Sequence, residues 1–314
     1  MRPGWKPSPI VLLTLLGAAV AAVPLLERNM WTPLGHGDFD QVWEAARAIR
    51  QGVDPYAVVG RDSAFPSGYP LYYPLTAVVV AFPFSFLPFQ VARLVFAMGG
   101  GALFGYALGR YRPWAWPILL SAPFLYAVTD TQWSPYLTAA LLLPAWGWVA
   151  AAKPNIGLAI LGGARSRRVA VILGTGSLAL TLVSLALIPR WPAEWRAALA
   201  TAHHFRPLIL RPGSVVMLLA LLRWRDPDAR LLLALTLVPQ NGLYYDALPA
   251  MLVARTRLQT AGLALCTMLG PLLIPYWGSG GADWAVATWE TGILVFWTAL
   301  VPPLVLVLRR PRAG

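Results

Sequence analysis

Long apolar runs separated by short basic stretches organise this chain. They fall near residues 9–26, 71–88, 91–109, 114–129, 136–152, 169–189, 258–277 and 288–308, with shorter or broken runs at 155–163, 214–222 and 231–254. A helix of about 20 apolar residues crosses the hydrocarbon core of a bilayer, so the pattern predicts an all-α, polytopic transmembrane helical bundle of roughly eight to eleven spans. Residues 1–314 then form one integral membrane domain with no soluble domain. The first run follows Arg2 and Lys6 as a secretory leader would. Pro24-Leu25-Leu26-Glu27 offers no small-residue cleavage site, so a retained first helix with a cytoplasmic N-terminus is expected.

The polar interruptions carry as much information as the runs. The longest, 27–70, contains Phe39, Val42, Trp43, Ala46 and Ile49 at helical spacing, with Asp40, Gln41, Glu44, Arg47 and Arg50 on the other face. That pattern predicts an amphipathic helix lying in the membrane interface within a first outer loop. Gly52 ends it and Asp54-Pro55-Tyr56 makes a turn. A second long outer loop is expected over 190–213, with further outer turns over 130–135 and 278–287. Basic groups at Arg165/Arg167/Arg168, Arg223/Arg225, Arg255/Arg257 and Arg309/Arg310/Arg312 mark the cytoplasmic side. Arg110/Arg112 joins them only if 71–88, broken by Pro74, Pro83 and Pro88, fails to cross fully. Ala97, Gly101, Gly105 and Gly109, four residues apart, predict a stripe against which another helix packs closely.

Composition agrees with a membrane setting: 58% of residues are hydrophobic and 12% charged, against roughly 25% charged in soluble domains. The 15 Trp and 11 Tyr fit interfacial belts. The 29 Pro fit broken helices inside a bundle. The net charge of +12 invites a nucleic-acid reading. The arginines flank apolar runs, however, so membrane orientation explains them and no nucleic-acid partner is expected. The single cysteine, Cys266, excludes an internal disulfide. No metal-ligand spacing, phosphate-cradling loop, dinucleotide fingerprint or nucleophile elbow is present, so no metal and no cofactor are expected.

Candidate chemistry concentrates in His36-Gly37-Asp38-Phe39-Asp40-Gln41-Val42-Trp43. Asp38 sits where a helix N-cap is expected, with Gln41 three residues on as in a capping box, contributing about 1 kcal/mol. A rigidly held cap can also serve as a base, so both roles stand, with Asp38 the first candidate and Asp40 the second. Lys153, between apolar runs, is either a functional cation or one that snorkels to the interface. Gln132 can hydrogen-bond a polyol or an anion. Tyr244 and Tyr245 beside Asp246 form either a sugar-stacking pair or part of an aromatic belt.

The string Asp38-Phe39-Asp40-x-x-Trp43-x-Ala45-Ala46-Arg47-Ala48-Ile49-x-x-Gly52-x-Asp54-Pro55-Tyr56, followed by Tyr72-Tyr73-Pro74-Leu75, resembles glycosyltransferase family 87 of the GT-C superfamily. The family steps into its next helix with Tyr-Pro-Pro, where this chain has Tyr73-Pro74-Leu75. Weaker echoes are Thr131-Gln132-Trp133-Ser134, Lys153-Pro154, Leu237-Val238-Pro239-Gln240-Asn241 and Tyr244-Tyr245-Asp246. The resemblance implies a GT-C type bundle in the plasma membrane with its site on the extracytoplasmic side. It also implies inverting transfer of a hexose, typically mannose, from a polyprenyl-phosphate donor to a glycolipid or glycan acceptor. Asp38 matches the family's first-loop general base. The leaving lipid phosphate needs cationic or N–H partners, and Lys153, Gln132, His203, His204, Arg206 and Arg211 are the candidates. The alternatives are a transporter or flippase, or a non-catalytic binder, of lipid-linked sugars.

Overall fold

The computed structural model describes residues 7–26, 37–60, 63–202, 205–273 and 291–311. His203, His204 and the expected 278–287 turn lie outside the described residues. Helices dominate, and proline decides where many of them begin. Pro113, Pro123, Pro135, Pro144, Pro154 and Pro192 each occupy the first or second position of a helix. There the fixed φ is already helical and the missing N–H has no intrahelical partner to lose.

The same prolines cut the apolar runs. The 114–129 run becomes Pro113–Leu120 and Ala122–Thr129, joined at Ser121, which caps the second piece. The 136–152 run becomes Ser134–Ala140 and Pro144–Ala152. The 71–88 run gives Leu75–Ala81 and a 3₁₀ stretch Phe82–Phe86, about 18 Å in all if fully α-helical and too short to cross as one straight helix. Among the described residues, three helices are long and apolar enough to cross a membrane: Phe89–Tyr111, Arg167–Leu187 and Thr291–Leu308. Among the described residues, β-structure is limited to two-residue pairings, Val59–Gly60 with Phe65–Pro66 (parallel) and Arg206–Pro207 with Pro239–Gln240 (antiparallel).

The small-residue stripe is a helix contact. A Cβ at Gly101 would strike the carbonyl of Gly17, one at Gly105 the carbonyl of Leu13, and one at Gly109 the backbone of Ile10. Rising numbers on Phe89–Tyr111 meet falling numbers on Pro9–Pro24, so the two helices are antiparallel. Pro9 therefore lies beside Tyr111 at one end, and the start of Phe89–Tyr111 lies at the other.

These two ends differ in chemistry. At the first, Arg112 donates to the carbonyls of Leu252 and Ala254, and Arg310 pairs with Asp226 and Asp228. The Arg110/Arg112 group thus shares an end with Arg165, Arg255 and Arg310. At the second end, the Asp38–Arg50 helix packs through Phe39, which stacks on Phe96 at 4.3 Å; Phe96 in turn meets Trp133 at 5.0 Å. This aromatic core holds Asp38 beside the turn at 130–133.

The Asp38–Arg50 helix corrects the interfacial expectation. The first part of its polar face is buried as deeply as its apolar one, with Asp40, Gln41 and Glu44 inaccessible, and only Arg47 and Arg50 towards its end are open. The residues after it fold back as a cover. Gln41 Oε1 accepts from the Tyr72 N–H at 3.0 Å, Trp43 Nε1 donates to the Phe84 carbonyl at 3.0 Å, and Arg47 binds Glu44 and lies over Trp43 and Phe65. Amphipathic spacing alone does not reveal that a neighbouring loop carries the complementary polar groups.

Candidate functional site

The site is assembled from helix starts. Asp38 is the first residue of Asp38–Arg50. Tyr73 directly precedes Pro74, which caps Leu75–Ala81. Gln132 lies between Ala122–Thr129 and Ser134–Ala140. Lys153 is held out of the helical region, at φ −137° and ψ 79°, between Pro144–Ala152 and Pro154–Gly162, because Pro154 bars that region to the residue before it. Tyr245 and Asp246 open the 3₁₀ helix Tyr244–Val253. These helix starts and the breaks between helices bring the side chains to a common centre. Helix starts also present unpaired N–H groups and a partial positive charge, which suits acids and anions.

Lys153 is the hub. Its Nζ donates to Asp246 Oδ1 at 2.7 Å and to Gln132 Oε1 at 3.2 Å, and lies 3.9 Å from Asp38 Oδ2 and 4.6 Å from the Tyr245 ring centre. Asn241 Nδ2 donates to the Tyr245 hydroxyl at 3.0 Å. Tyr73 donates its hydroxyl to Asp38 Oδ2 at 2.6 Å. Burial, then the negative charge of Asp38, push the Tyr73 hydroxyl well above its ordinary pKa, so it stays a donor. Asp246 is fully enclosed against Lys153, whereas the Asp38 side chain keeps 22% of its surface open. The arrangement is one buried ion pair with a second, accessible carboxylate at its edge.

The turn carrying Gln132 is strained. Thr131 adopts φ +52°, a left-handed conformation rare for a β-branched residue, which costs on the order of 1–3 kcal/mol. Its neighbour Asp130 accepts the Asp38 N–H at 3.3 Å, so the turn and the helix start are fastened together. The second expected loop braces the first. Arg190 pairs with Asp54 at 2.5 Å and Glu194 at 2.6 Å, Trp195 Nε1 donates to the Tyr72 carbonyl at 2.8 Å, and Phe205 packs on the Tyr72 ring. Tyr56 donates to the Tyr73 carbonyl at 2.9 Å.

Of the candidates from sequence, Asp38, Gln132, Lys153, Tyr245 and Asp246 come together. Others do not. Asp40 is sealed inside: its Oδ2 accepts from the Gly37 N–H at 3.1 Å and its Oδ1 lies 3.3 Å from Arg93 Nε. Gly37 is the N-cap and Asp40 closes the capping box; Asp38 is one residue further in and Gln41 serves Tyr72 instead. Capping therefore falls to Asp40 and leaves the Asp38 side chain free for Tyr73 and Lys153. Tyr244 turns away, stacking on Tyr126 and bonding Thr298 at 2.7 Å. Arg206 is exposed on the short strand pair. Arg211 is buried, with Nη2 3.2 Å from where a Cβ on Gly242 would stand.

Sequence reading missed Tyr73, Asn241 and Arg93. Arg93 had a signal: it is a lone cation at the start of an apolar run, which calls for a buried partner. Tyr73 had one too, as a polar residue directly before a helix-starting proline. Among the described residues, no three His, Cys, Asp or Glu side chains converge as a metal ion requires.

Fold and site together define a helical protein with helices long enough to cross a membrane and a carboxylate–lysine–carboxylate centre at converging helix starts. Comparison with family models, with curated proteins and with solved structures found no match to this chain.

Proposed function

We propose that this chain is a multi-pass membrane glycosyltransferase of GT-C type that transfers a hexose, mannose on the sequence resemblance, from a polyprenyl-phosphate donor to an extracytoplasmic hydroxyl acceptor. The observation that carries the reading is the accessible Asp38 carboxylate beside the buried Lys153–Asp246 pair. A broken-helix bundle of GT-C type accounts for apolar pieces too short to cross singly, because stacked pieces such as Pro113–Leu120 and Ala122–Thr129 can cross jointly.

In this mechanism an acceptor oxygen attacks the anomeric carbon while the bond from that carbon to the phosphate oxygen breaks. The electron pair leaves with the polyprenyl phosphate, and the acceptor proton passes to Asp38, which later returns it to water. Tyr73 fixes the carboxylate so that one oxygen faces the acceptor. Lys153 and Gln132, bonded to each other, are the cation and the amide assigned to the departing phosphate. Asp246 keeps the ammonium in place and the buried Tyr245 backs it with a ring face.

Asp38→Asn tests the reading. It keeps the shape and the Tyr73 contact but cannot take a proton. Transfer from labelled polyprenyl-phosphate mannose by the purified protein is expected to drop by about 10²–10⁴-fold with expression unchanged. Full turnover in this variant removes Asp38 from the mechanism. Movement of intact donor across vesicles by the native protein, without a new glycoside, would favour the flippase alternative.

A further inference from the structure

The end of the molecule remote from Asp38 carries a second charged centre. Arg310 Nη1 bridges Asp226 at 2.6 Å and Asp228 at 2.8 Å, and its other nitrogen donates to the Val253 carbonyl at 2.7 Å. Arg165 reaches Asp228 at 3.1 Å, and Arg255 lies 3.9 Å from Asp226. Arg112 completes the group through the Leu252 and Ala254 carbonyls; burial and then the nearby Arg165 lower its pKa. Among the described residues, Arg112, Arg165, Arg255 and Arg310 bring four positive charges to two carboxylates and Arg230 adds a fifth beside them, so the centre is net positive.

The surplus is not spread evenly. Arg310 is largely enclosed, whereas the Arg165 and Arg255 side chains are 46% and 59% exposed, each against a different aspartate of the pair. The centre is built rather than incidental. Asp226 caps the Pro227–Leu237 helix through the Asp228 N–H, and Arg230 ties that helix start to the Gly162 and Ala164 carbonyls. Two large apolar side chains near it in the chain are exposed: Trp224, whose carbonyl accepts from Arg230, at 63%, and Leu258, three residues after Arg255, at 83%. Polar cations flanked by apolar anchors describe the boundary between headgroups and acyl chains.

We propose that this centre binds one phospholipid whose headgroup carries two phosphodiesters, one on Arg165 and one on Arg255, with acyl chains against Trp224 and Leu258. Two separated guanidiniums match two separated phosphates, since each fork takes phosphate oxygens in pairs. A lipid with a single phosphate satisfies one of them only. The site stands apart from the transferase reading and does not depend on it.

Native mass spectrometry of the full chain in detergent tests this with tetraoleoyl cardiolipin, dioleoyl phosphatidylglycerol and dioleoyl phosphatidylcholine. One cardiolipin is expected to be retained about tenfold more strongly than phosphatidylglycerol. The R165Q/R255Q protein is expected to lose that preference, and R190Q, at the other end, to keep it. Equal retention of cardiolipin and phosphatidylglycerol by the native protein overturns the site, whatever the variants do. Undiminished preference in R165Q/R255Q overturns it as well. If that variant does not melt as the native protein does, R165K/R255K replaces it, with preference expected to fall and its persistence counting against paired recognition.

Discussion

At the residue scale the molecule turns on how charges are shared around Lys153. A buried ammonium without a carboxylate is costly, and so is the reverse, so removing either member of the Lys153–Asp246 pair exposes the other to an uncompensated burial. Lys153→Met and Asp246→Leu are each expected to cost about 3–5 kcal/mol. The double variant should cost far less than their sum, as unfolding in mixed micelles would measure. Additive losses would mean that the two side chains do not depend on each other. Lys153, Gln132 and Asp246 were legible in the sequence because each is a polar residue interrupting an apolar stretch. The division of labour between Asp38 and Asp40 was not. It depends on where the helix starts, and a shift of one residue moves the cap from Asp38 to Gly37 and hands the box to Asp40.

The element scale is governed by close approach and by cover. Gly101 and Gly105 admit the backbone of Pro9–Pro24, so Gly105→Leu should force the helices apart and destabilise the protein by at least the 1–3 kcal/mol typical of overpacking, read as a lowered melting temperature. An unchanged melting temperature would contradict the contact. This packing was readable in advance because a four-residue spacing of small side chains has one geometric meaning. The cover over Asp38–Arg50 was not, since Gln41 meets Tyr72 31 residues away and nothing local announces it. One consequence of that cover is titratable. Burial raises Glu44 from 4.5 to about 7, and Arg47 opposes the shift only in part. The folded protein then holds a proton that the unfolded chain has released. Stability from this group is full below about pH 4.5 and is lost as pH rises through about 7. Glu44→Gln should flatten that part of the stability profile, and an identical slope in the variant would exclude Glu44 as its source.

Over the whole molecule, the two ends make opposite demands. The end with Asp38 is braced by Asp54 and Arg190, and the other is knit by Arg112, Arg165 and Arg310 around Asp226 and Asp228. In a Cys266→Ser background, cysteines at Gln51 and Arg196 should react with an impermeant maleimide from one face of the membrane, and cysteines at Arg225 and Thr256 from the other. Reaction of Gln51 and Arg196 from opposite faces would dismantle the shared arrangement of the two loops. Apolar periodicity foretold a helical molecule and the basic clusters foretold one of its ends. How many pieces join to make a crossing was hidden, because a proline can start a helix, break one or kink one, and which it does depends on its neighbours. Synthesis order adds a final consequence. Lys153 is translated 93 residues before Asp246, a delay of roughly 5–20 s at ordinary elongation rates. During that interval Asp38 is the carboxylate of the centre already made. The ammonium thus has an early companion and a later permanent one, and a nascent chain halted before Asp246 would hold its lysine against the acid that the finished protein leaves open.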